Sequence, residues 1–164
     1  MTHWSWIFEQ PLPCLRRLKI HFLAEWEDGP LSNPVVLELP TDLRLRVLDL
    51  YNAMLPWSSD LFTGLKELHL DFSNSDPFVE ISEDELLGIF DASPQSERLS
   101  LASLTLRIPT VDDQRQYPPT RIVQLSSLTF LKLVNAPRFI GYILDTPAIA
   151  SFEIHSLFSS WDAE

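Results

Sequence analysis

Residues 65–70, Leu65-Lys66-Glu67-Leu68-His69-Leu70, carry leucine at the first, fourth and sixth positions of a six-residue stretch. The same spacing recurs along the chain at Leu15/Leu18/Ile20, Leu45/Leu48/Leu50, Leu128/Leu131/Leu133 and Ile149/Phe152/Ile154. A sixth copy, Ser96/Leu99/Leu101, has serine at its first position. A short unit that recurs in this way indicates stacked, similar segments rather than one irregular core.

Each copy predicts a short strand with one buried face. In Leu68-His69-Leu70 the two leucines flank a polar residue, and alternate side chains of a strand share one face. One such strand cannot bury its apolar face alone, so neighbouring copies must stack. We therefore predict an α/β fold with a single domain over residues 1–164, one parallel sheet of about six strands and helices or loops on its other face. The predicted strands lie near residues 15–20, 45–50, 65–70, 96–101, 128–133 and 149–154.

The segments between copies predict two helices. Ser82-Glu83-Asp84-Glu85 is a capping box, and Leu86, Ile89 and Phe90 follow it at helical spacing. A second helix is expected over about residues 137–144, with proline in its first turn. First positions of successive copies are separated by 30, 20, 31, 32 and 21 residues, and the two short steps leave room for only a loop or one helical turn. Loops are expected over residues 22–36, 71–80 and 109–120.

The charge balance disfavours polyanionic partners. The chain of 164 residues has a net charge of −11, and residues 51–100 alone hold ten acidic and two basic side chains. Such a field repels phosphate backbones and anionic lipid surfaces, so we expect neither a nucleic-acid nor a membrane partner. The lone cysteine, Cys14, cannot form an intrachain disulfide, and no apolar stretch has the length of a membrane span. A cytoplasmic or nuclear location is expected.

Motifs of catalysis are scarce. The four glycines are far apart, which excludes a glycine-rich phosphate loop. The four histidines show no metal-ligand spacing, so no cofactor, metal or catalytic residue is predicted. The acids between Asp71 and Glu85 leave one alternative open, a small hydrolase-like enzyme with a carboxylate site near residues 71–85. That alternative requires a deep pocket and an acid whose pKa is raised.

The outward-facing strand positions are the candidate binding surface. If the leucines point inward, three rows of side chains point outward across the sheet. The rows are Arg17, Val47, Glu67, Arg98, Phe130, Ser151; then Lys19, Asp49, His69, Ser100, Lys132, Glu153; then His21, Tyr51, Asp71, Ala102, Val134, His155. The predicted partner-binding residues are Arg17, Lys19, Tyr51, Glu67, His69, Arg98, Phe130, Lys132 and Glu153. Aromatic anchors among mixed charges suit a protein target. The alternative is a plain solvated sheet face.

The Leu-x-x-Leu-x-Leu runs resemble the leucine-rich-repeat superfamily. Ser-Glu-Asp-Glu-Leu-Leu-Gly-Ile-Phe at 82–90 and Ala-Ser-Pro-Gln at 92–95, before Glu-Arg-Leu-Ser-Leu at 97–101, further resemble the repeat region that follows the F-box in fungal F-box-like proteins. The resemblance covers about residues 12–155. It implies a short, irregular solenoid that selects the target of a ubiquitin ligase.

The resemblance departs from the family at the F-box. No helical F-box precedes the first repeat, so a ligase adaptor is an expected partner only if an F-box is present elsewhere. Residues 39–48, which begin Leu-Pro-Thr-Asp-Leu, look like an F-box opening and leave that alternative open. A truncated fragment without independent function is a further alternative.

Aromatic residues outside the copies are expected to pack. Trp26 and Trp57 follow the first and second copies and are predicted to cover the repeat edges. At the N-terminus, Trp4, Trp6, Ile7 and Phe8 are predicted to fold back as a cap over the first strand. The tail at 157–161 is apolar enough to pack on the last repeat.

Overall fold

The computed structural model describes residues 12, 14–22, 34–40, 43–75, 79–107, 121–136 and 140–155. The strands are β1 Arg17–His21, β2 Val35–Val36, β3 Val47–Tyr51, β4 Ala53–Met54, β5 Glu67–Asp71, β6 Val79–Ile81, β7 Arg98–Ala102, β8 Leu104–Leu106, β9 Val123–Gln124, β10 Phe130–Val134, β11 Leu144–Asp145 and β12 Ser151–His155. The helices are α1 Glu83–Ala92 and α2 Ile140–Ile143, with a 3₁₀ turn at Asp60–Phe62.

Among these residues, the six strands of five residues form one parallel sheet in the order β1-β3-β5-β7-β10-β12. Spatial order follows chain order, and every neighbouring pair is parallel. The predicted parallel sheet is therefore confirmed. Each strand begins two residues after the first position of its copy, so the first leucine lies where the chain enters the strand.

The leucines of the copies form the inner face of this sheet. Leu48, Leu50 and Leu101 have no measurable exposure, and they share one core cluster with Leu86 and Ile89 of α1. The first positions of the central copies are also buried, as Leu65 and Leu128 show, whereas Leu15 and Ile149 in the end copies are partly buried. Ser96, which stands at the first position of its copy in place of leucine, is 6% exposed. Its hydroxyl donates a hydrogen bond to the Leu65 carbonyl at 3.2 Å. A polar residue is tolerated there because it is paired.

The last copy along the chain, Ile149/Phe152/Ile154, departs from the expected burial of its apolar side chains. Phe152 and Ile154 lie in register with Leu131 and Leu133, yet they are 52% and 61% exposed. β12 is the last strand of the described sheet, and within the described residues no further strand pairs with it. The apolar pair has the predicted orientation, but it lacks the neighbouring layer that covers the other copies.

Short second strands connect the copies on the far side of the core. β2 pairs with β4, β6 with β8, and β9 with β11, all in parallel. Two of these strands lie in segments that the sequence predicts as loops, residues 22–36 and 71–80, because strands of two or three residues are too short to show a period. The predicted loop at 109–120 lies outside the described residues.

Left-handed residues mark the turn out of three main strands. Asn52, Ser103 and Asn135 directly follow β3, β7 and β10 and have φ of 51°, 55° and 47°. Positive φ is sterically unfavourable for residues other than glycine, and asparagine tolerates it better than most residues do. The turn sends the chain from the main sheet toward the helical side of the core.

The first predicted helix is confirmed, and the described part of the second ends one residue earlier than predicted. α1 begins after Ser82, whose hydroxyl accepts from the Glu85 backbone N–H at 3.2 Å, while the Glu85 carboxylate accepts from the Ser82 N–H at 2.8 Å. Within the described residues α2 covers Ile140–Ile143, and the next two residues form β11 because they pair with β9. Residues 137–139 lie outside the described ranges. The 20-residue step between the second and third copies contains the single 3₁₀ turn expected for its length.

Trp57 packs as predicted: its ring stacks on Phe62 with centroids 6.3 Å apart and meets Phe72 edge-on at 6.3 Å. Trp26, the N-terminal aromatic residues and the tail at 157–161 lie outside the described residues. In the F-box-like run, residues 43–46 are not helical and the run continues into β3. Within the described ranges, no helix combines the length and apolar character needed to cross a membrane.

Candidate functional site: the open face of the sheet

The face of the main sheet opposite the leucines is the candidate site, and we call it the open face. Its side chains form three rows in register: Arg17, Val47, Glu67, Arg98, Phe130, Ser151; Lys19, Asp49, His69, Ser100, Lys132, Glu153; and His21, Tyr51, Asp71, Ala102, Val134, His155. These are the rows that the repeat spacing predicts. The sheet therefore brings residues as far apart in the chain as Arg17 and His155 onto one surface.

The open face is electrically balanced although the chain is acidic. It carries four basic side chains (Arg17, Lys19, Arg98, Lys132) and four acidic ones (Asp49, Glu67, Asp71, Glu153), so 4 − 4 gives a formal charge of zero. The whole chain has −11. The surplus of negative charge therefore lies elsewhere, and this face does not repel other acidic proteins as the rest of the surface does.

Asp49 is the centre of the cluster on β1 and β3. Its carboxylate lies 2.7 Å from Lys19 Nζ and 3.2 Å from His21 Nε2. Burial tends to raise the pKa of Asp49, but the hydrogen bonds from Lys19 and His21 outweigh it and the pKa falls below its usual value. The partner-binding residues predicted from the sequence include Lys19 but not Asp49, although Asp49 belongs to the same outward-facing row. The signal that could have identified it is its position directly opposite Lys19 on the next strand.

His69 occupies the middle of the open face. Burial lowers the pKa of its imidazole, and the attraction of the Asp49 and Glu67 carboxylates does not offset that effect. The imidazole lies 3.8 Å from the Glu67 carboxylate, and Glu67 is in register with Arg98 on the following strand. His69 is therefore mainly neutral at neutral pH and contributes an amphipathic, half-buried ring to the surface.

Tyr51 forms the aromatic part of the third row. Its ring centroid lies 5.8 Å from that of His21, and its hydroxyl accepts a hydrogen bond of 2.6 Å from the Asn74 side-chain amide. Asn74 is exposed and adds a polar group at the margin of the open face. Sequence reasoning misses Asn74 because it lies outside the repeat, where no spacing rule places it.

Arg98 and Phe130 form a second aromatic centre on β7 and β10. The Arg98 guanidinium carbon lies 4.2 Å from the centroid of the Phe130 ring, which is a cation–π geometry. On the next row, Lys132 Nζ lies 3.5 Å from the Glu153 carboxylate. The structure thus gathers these four predicted residues on adjacent strands.

The remaining open-face positions differ in exposure. Arg17 is exposed at the β1 edge and lies in register with Val47, which is only 7% exposed. Ala102 is also buried, at 5%. Outward direction on a strand therefore does not guarantee contact with solvent, because long neighbouring side chains can cover a short one.

Three of the acids near residues 71–85, Asp71, Glu80 and Glu85, are engaged in local structure. Asp71 accepts hydrogen bonds from the Ser73 backbone N–H at 2.9 Å and from its hydroxyl at 2.5 Å. Glu80 pairs with Arg107 at 3.4 Å. The hydrogen bond from the Ser82 backbone lowers the pKa of Glu85, whereas the carboxylate-site alternative needs a raised one. Among the residues described, no group of three or more His, Cys, Asp or Glu side chains is placed to hold a metal ion.

Comparisons of the chain with protein-family models, with curated proteins and with solved structures find no match.

Proposed function

We propose that the chain is a protein-binding module without catalytic function, that it is a short leucine-rich-repeat solenoid, and that the open face binds a protein target. The observation that carries the proposal is the register of the main sheet. It brings Tyr51, His69, Arg98 and Phe130, which lie in four different copies, onto one continuous and electrically balanced surface.

The pairing of the strands supports the solenoid. The main strands lie in chain order, and each of the three short pairs joins neighbouring copies on the far side of the core. In a solenoid each repeat contacts only its neighbours, and the strands create an extended surface for binding. The α/β architecture and the six parallel strands fit that arrangement.

The chemistry of the open face suits a protein partner. Aromatic and arginine side chains supply much of the binding energy in protein interfaces, and the Arg98–Phe130 pair and Tyr51 provide two such centres. The hydrogen bond from Asn74 to the Tyr51 hydroxyl and the contact of Arg98 with the Phe130 ring hold these side chains in position before a partner arrives, which reduces the entropy lost on binding.

The size of the open face indicates how much of the interface it supplies. Six strands about 4.8 Å apart span about 24 Å, and five residues of strand extend about 16 Å, giving about 400 Å². A stable interface buries about 800 Å² on each partner. The partner is therefore expected to contact the margins of the sheet as well, including the edge at Asn74.

The test is affinity capture followed by calorimetry with the captured protein. Phe130→Ala and Arg98→Ala should each weaken binding at least tenfold, because truncation of a hot-spot residue at an interface costs about 2 kcal/mol or more. Ile122→Ala is the matched control, since Ile122 is an apolar side chain 62% exposed and lies outside the open face. Equal binding by the parent chain, Phe130→Ala and Arg98→Ala would contradict the proposal.

The finer part of the proposal is that the partner is the target of a ubiquitin ligase. Its support is the resemblance of residues 82–101 to the repeats of fungal F-box-like proteins. The same capture experiment tests it, because a ligase adaptor should be recovered with the target when the chain is joined to an F-box. Recovery of a target without any adaptor would support the protein-binding function and contradict the link to a ubiquitin ligase.

A further inference from the structure

A groove lies on the helical side of the core, away from the open face. It is lined by the segment around Trp57, the 3₁₀ turn and one side of α1, and it encloses about 670 Å³. Its two fully buried lining residues, Phe62 and Ile89, are apolar, and the half-buried Met54 and Trp57 extend this apolar surface beside the half-buried Ser59 and Glu85. Binding grooves for ligands are typically apolar with a few polar groups at the margin, and this volume falls within their usual range of about 300–1,000 Å³.

The margin of the groove is acidic. Asp60, Asp84 and Glu85 line it, and the described lining residues include no lysine, arginine or histidine. Arg107 pairs with Glu80 and Arg121 with Asp91, and the charges of these arginines also reach Glu85 and Asp84. The lining itself holds three acidic side chains and no basic one, so the groove combines an apolar floor with net negative charge.

Trp57 forms a fixed wall of the groove. Its indole N–H donates to the Glu80 carbonyl at 3.3 Å, and its ring contacts Phe62 and Phe72. An indole held in this way needs no ordering when a ligand binds. Tryptophan is also the most favourable aromatic side chain for a cation–π contact with lysine or arginine.

Gly88 keeps the groove open. It lies in the interior of α1, where glycine is less favourable than any residue except proline. A Cβ atom at this position would meet no atom within 4 Å, and the backbone does not need positive φ there. Packing and conformation thus leave room for a side chain at position 88, and a side chain longer than that of alanine would extend into the groove that Gly88 lines.

We propose that this groove binds a polypeptide segment that presents an arginine or lysine beside an apolar side chain. The apolar side chain occupies the floor formed by Phe62 and Ile89, and the cationic group lies between Trp57 and the acidic margin. Several lining residues, including Asp60, Asp84 and Gly88, are exposed, so the groove is open along its length and admits a peptide chain. This inference does not depend on the proposed function of the open face.

The test is titration of the full chain with three synthetic ten-residue peptides, followed by ¹H–¹⁵N correlation spectra. One peptide alternates leucine with lysine and arginine, the second replaces the basic residues by glutamate, and the third replaces the leucines by serine. We expect only the first peptide to shift the Gly88 amide and the Trp57 indole signals, with affinity that weakens as salt is raised. Equal shifts from the glutamate peptide, or no shift at millimolar concentration of the first peptide, would overturn the proposal.

Two variants of one residue separate the groove from the fold. Gly88→Gln places a side chain in the groove and should weaken the basic peptide at least tenfold, while Gly88→Ala should bind it within twofold of the parent. Both replace glycine by a better helix former, so both should raise the midpoint of thermal unfolding. The double variant Asp60→Asn with Asp84→Asn should also weaken the peptide about tenfold. Unchanged affinity in Gly88→Gln, or the same shifts on concentrating the chain without peptide, would refute a peptide occupant.

Discussion

Asn52 holds three consecutive copies together, and its replacement is the sharpest test of how the open face is built. The side chain is fully buried. Its amide donates to the Phe22 carbonyl at 3.1 Å, and its carbonyl oxygen accepts from the Asn74 backbone N–H at 3.3 Å. Phe22 follows β1 and Asn74 follows β5, whereas Asn52 itself follows β3. One side chain therefore joins the copy before it to the copy after it.

The expected cost of Asn52→Ala is about 3 kcal/mol in the free energy of unfolding. Each of the two hydrogen bonds contributes about 1 kcal/mol. Asn52 also has φ of 51°, a left-handed conformation that asparagine tolerates and that costs alanine about 1 kcal/mol more. The matched control is Ser103→Ala at the same position of another copy, with φ of 55°. Within the part of the chain that the structure describes, Ser103 contributes its backbone N–H to the Val134 carbonyl, which alanine retains. We expect the control to cost less than about 1 kcal/mol.

The measurement is urea unfolding followed by circular dichroism at neutral pH. Asn52→Ala should lower the midpoint with an unchanged slope, since a constant slope indicates that the surface exposed on unfolding has not changed. A loss below about 1 kcal/mol, or a loss equal to that of Ser103→Ala, would refute the claim that this side chain joins the copies.

Two further predictions concern titration and helix capping. Burial lowers the pKa of His69 below 6.5, so the unfolded chain takes up a proton at this residue before the folded chain does. Stability should therefore fall as pH decreases below about 6.5. His69→Gln should flatten that part of the curve of unfolding midpoint against pH. The lowered pKa of Asp49 adds a loss of stability below pH 3.8, and Asp49→Asn should remove it; a curve that neither variant changes would contradict both assignments. Ser82→Ala should cost about 1 kcal/mol of stability because it removes the cap of α1, whereas Ser82→Thr should retain most of it; equal losses in thermal melts would contradict the capping role.

The leucine spacing determines the main sheet because it depends only on residues a few positions apart in the chain. Leu68 and Leu70 must lie on one face of a strand whatever surrounds them, and the neighbouring copies carry the same pair. Alignment of those pairs fixes the register, since a shift by one residue would expose every leucine. The register in turn sets the rows of the open face, which is why Glu67, Arg98 and Phe130 could be placed on one surface from the sequence.

Features that depend on neighbours in space escape the sequence. Phe152 and Ile154 follow the repeat pattern, yet they remain exposed because β12 lies at the end of the described sheet. Leu144 continues an apolar helical pattern, yet it joins β11 because β9 supplies partners for its backbone. The short strands have too few residues to show any period.

The sequence by itself determined which side chains lie on the same face of the sheet, because alternate side chains of a strand point to the same side whatever the rest of the molecule does. Tertiary structure alone decided which of those faces are covered and where a groove opens. The groove beside Trp57 lies between a turn and a helix more than 20 residues further along the chain. The effect of glycine at position 88 depends on this groove, because a longer side chain there would extend into it. Burial and cavities are properties of the space between segments, which no local pattern records.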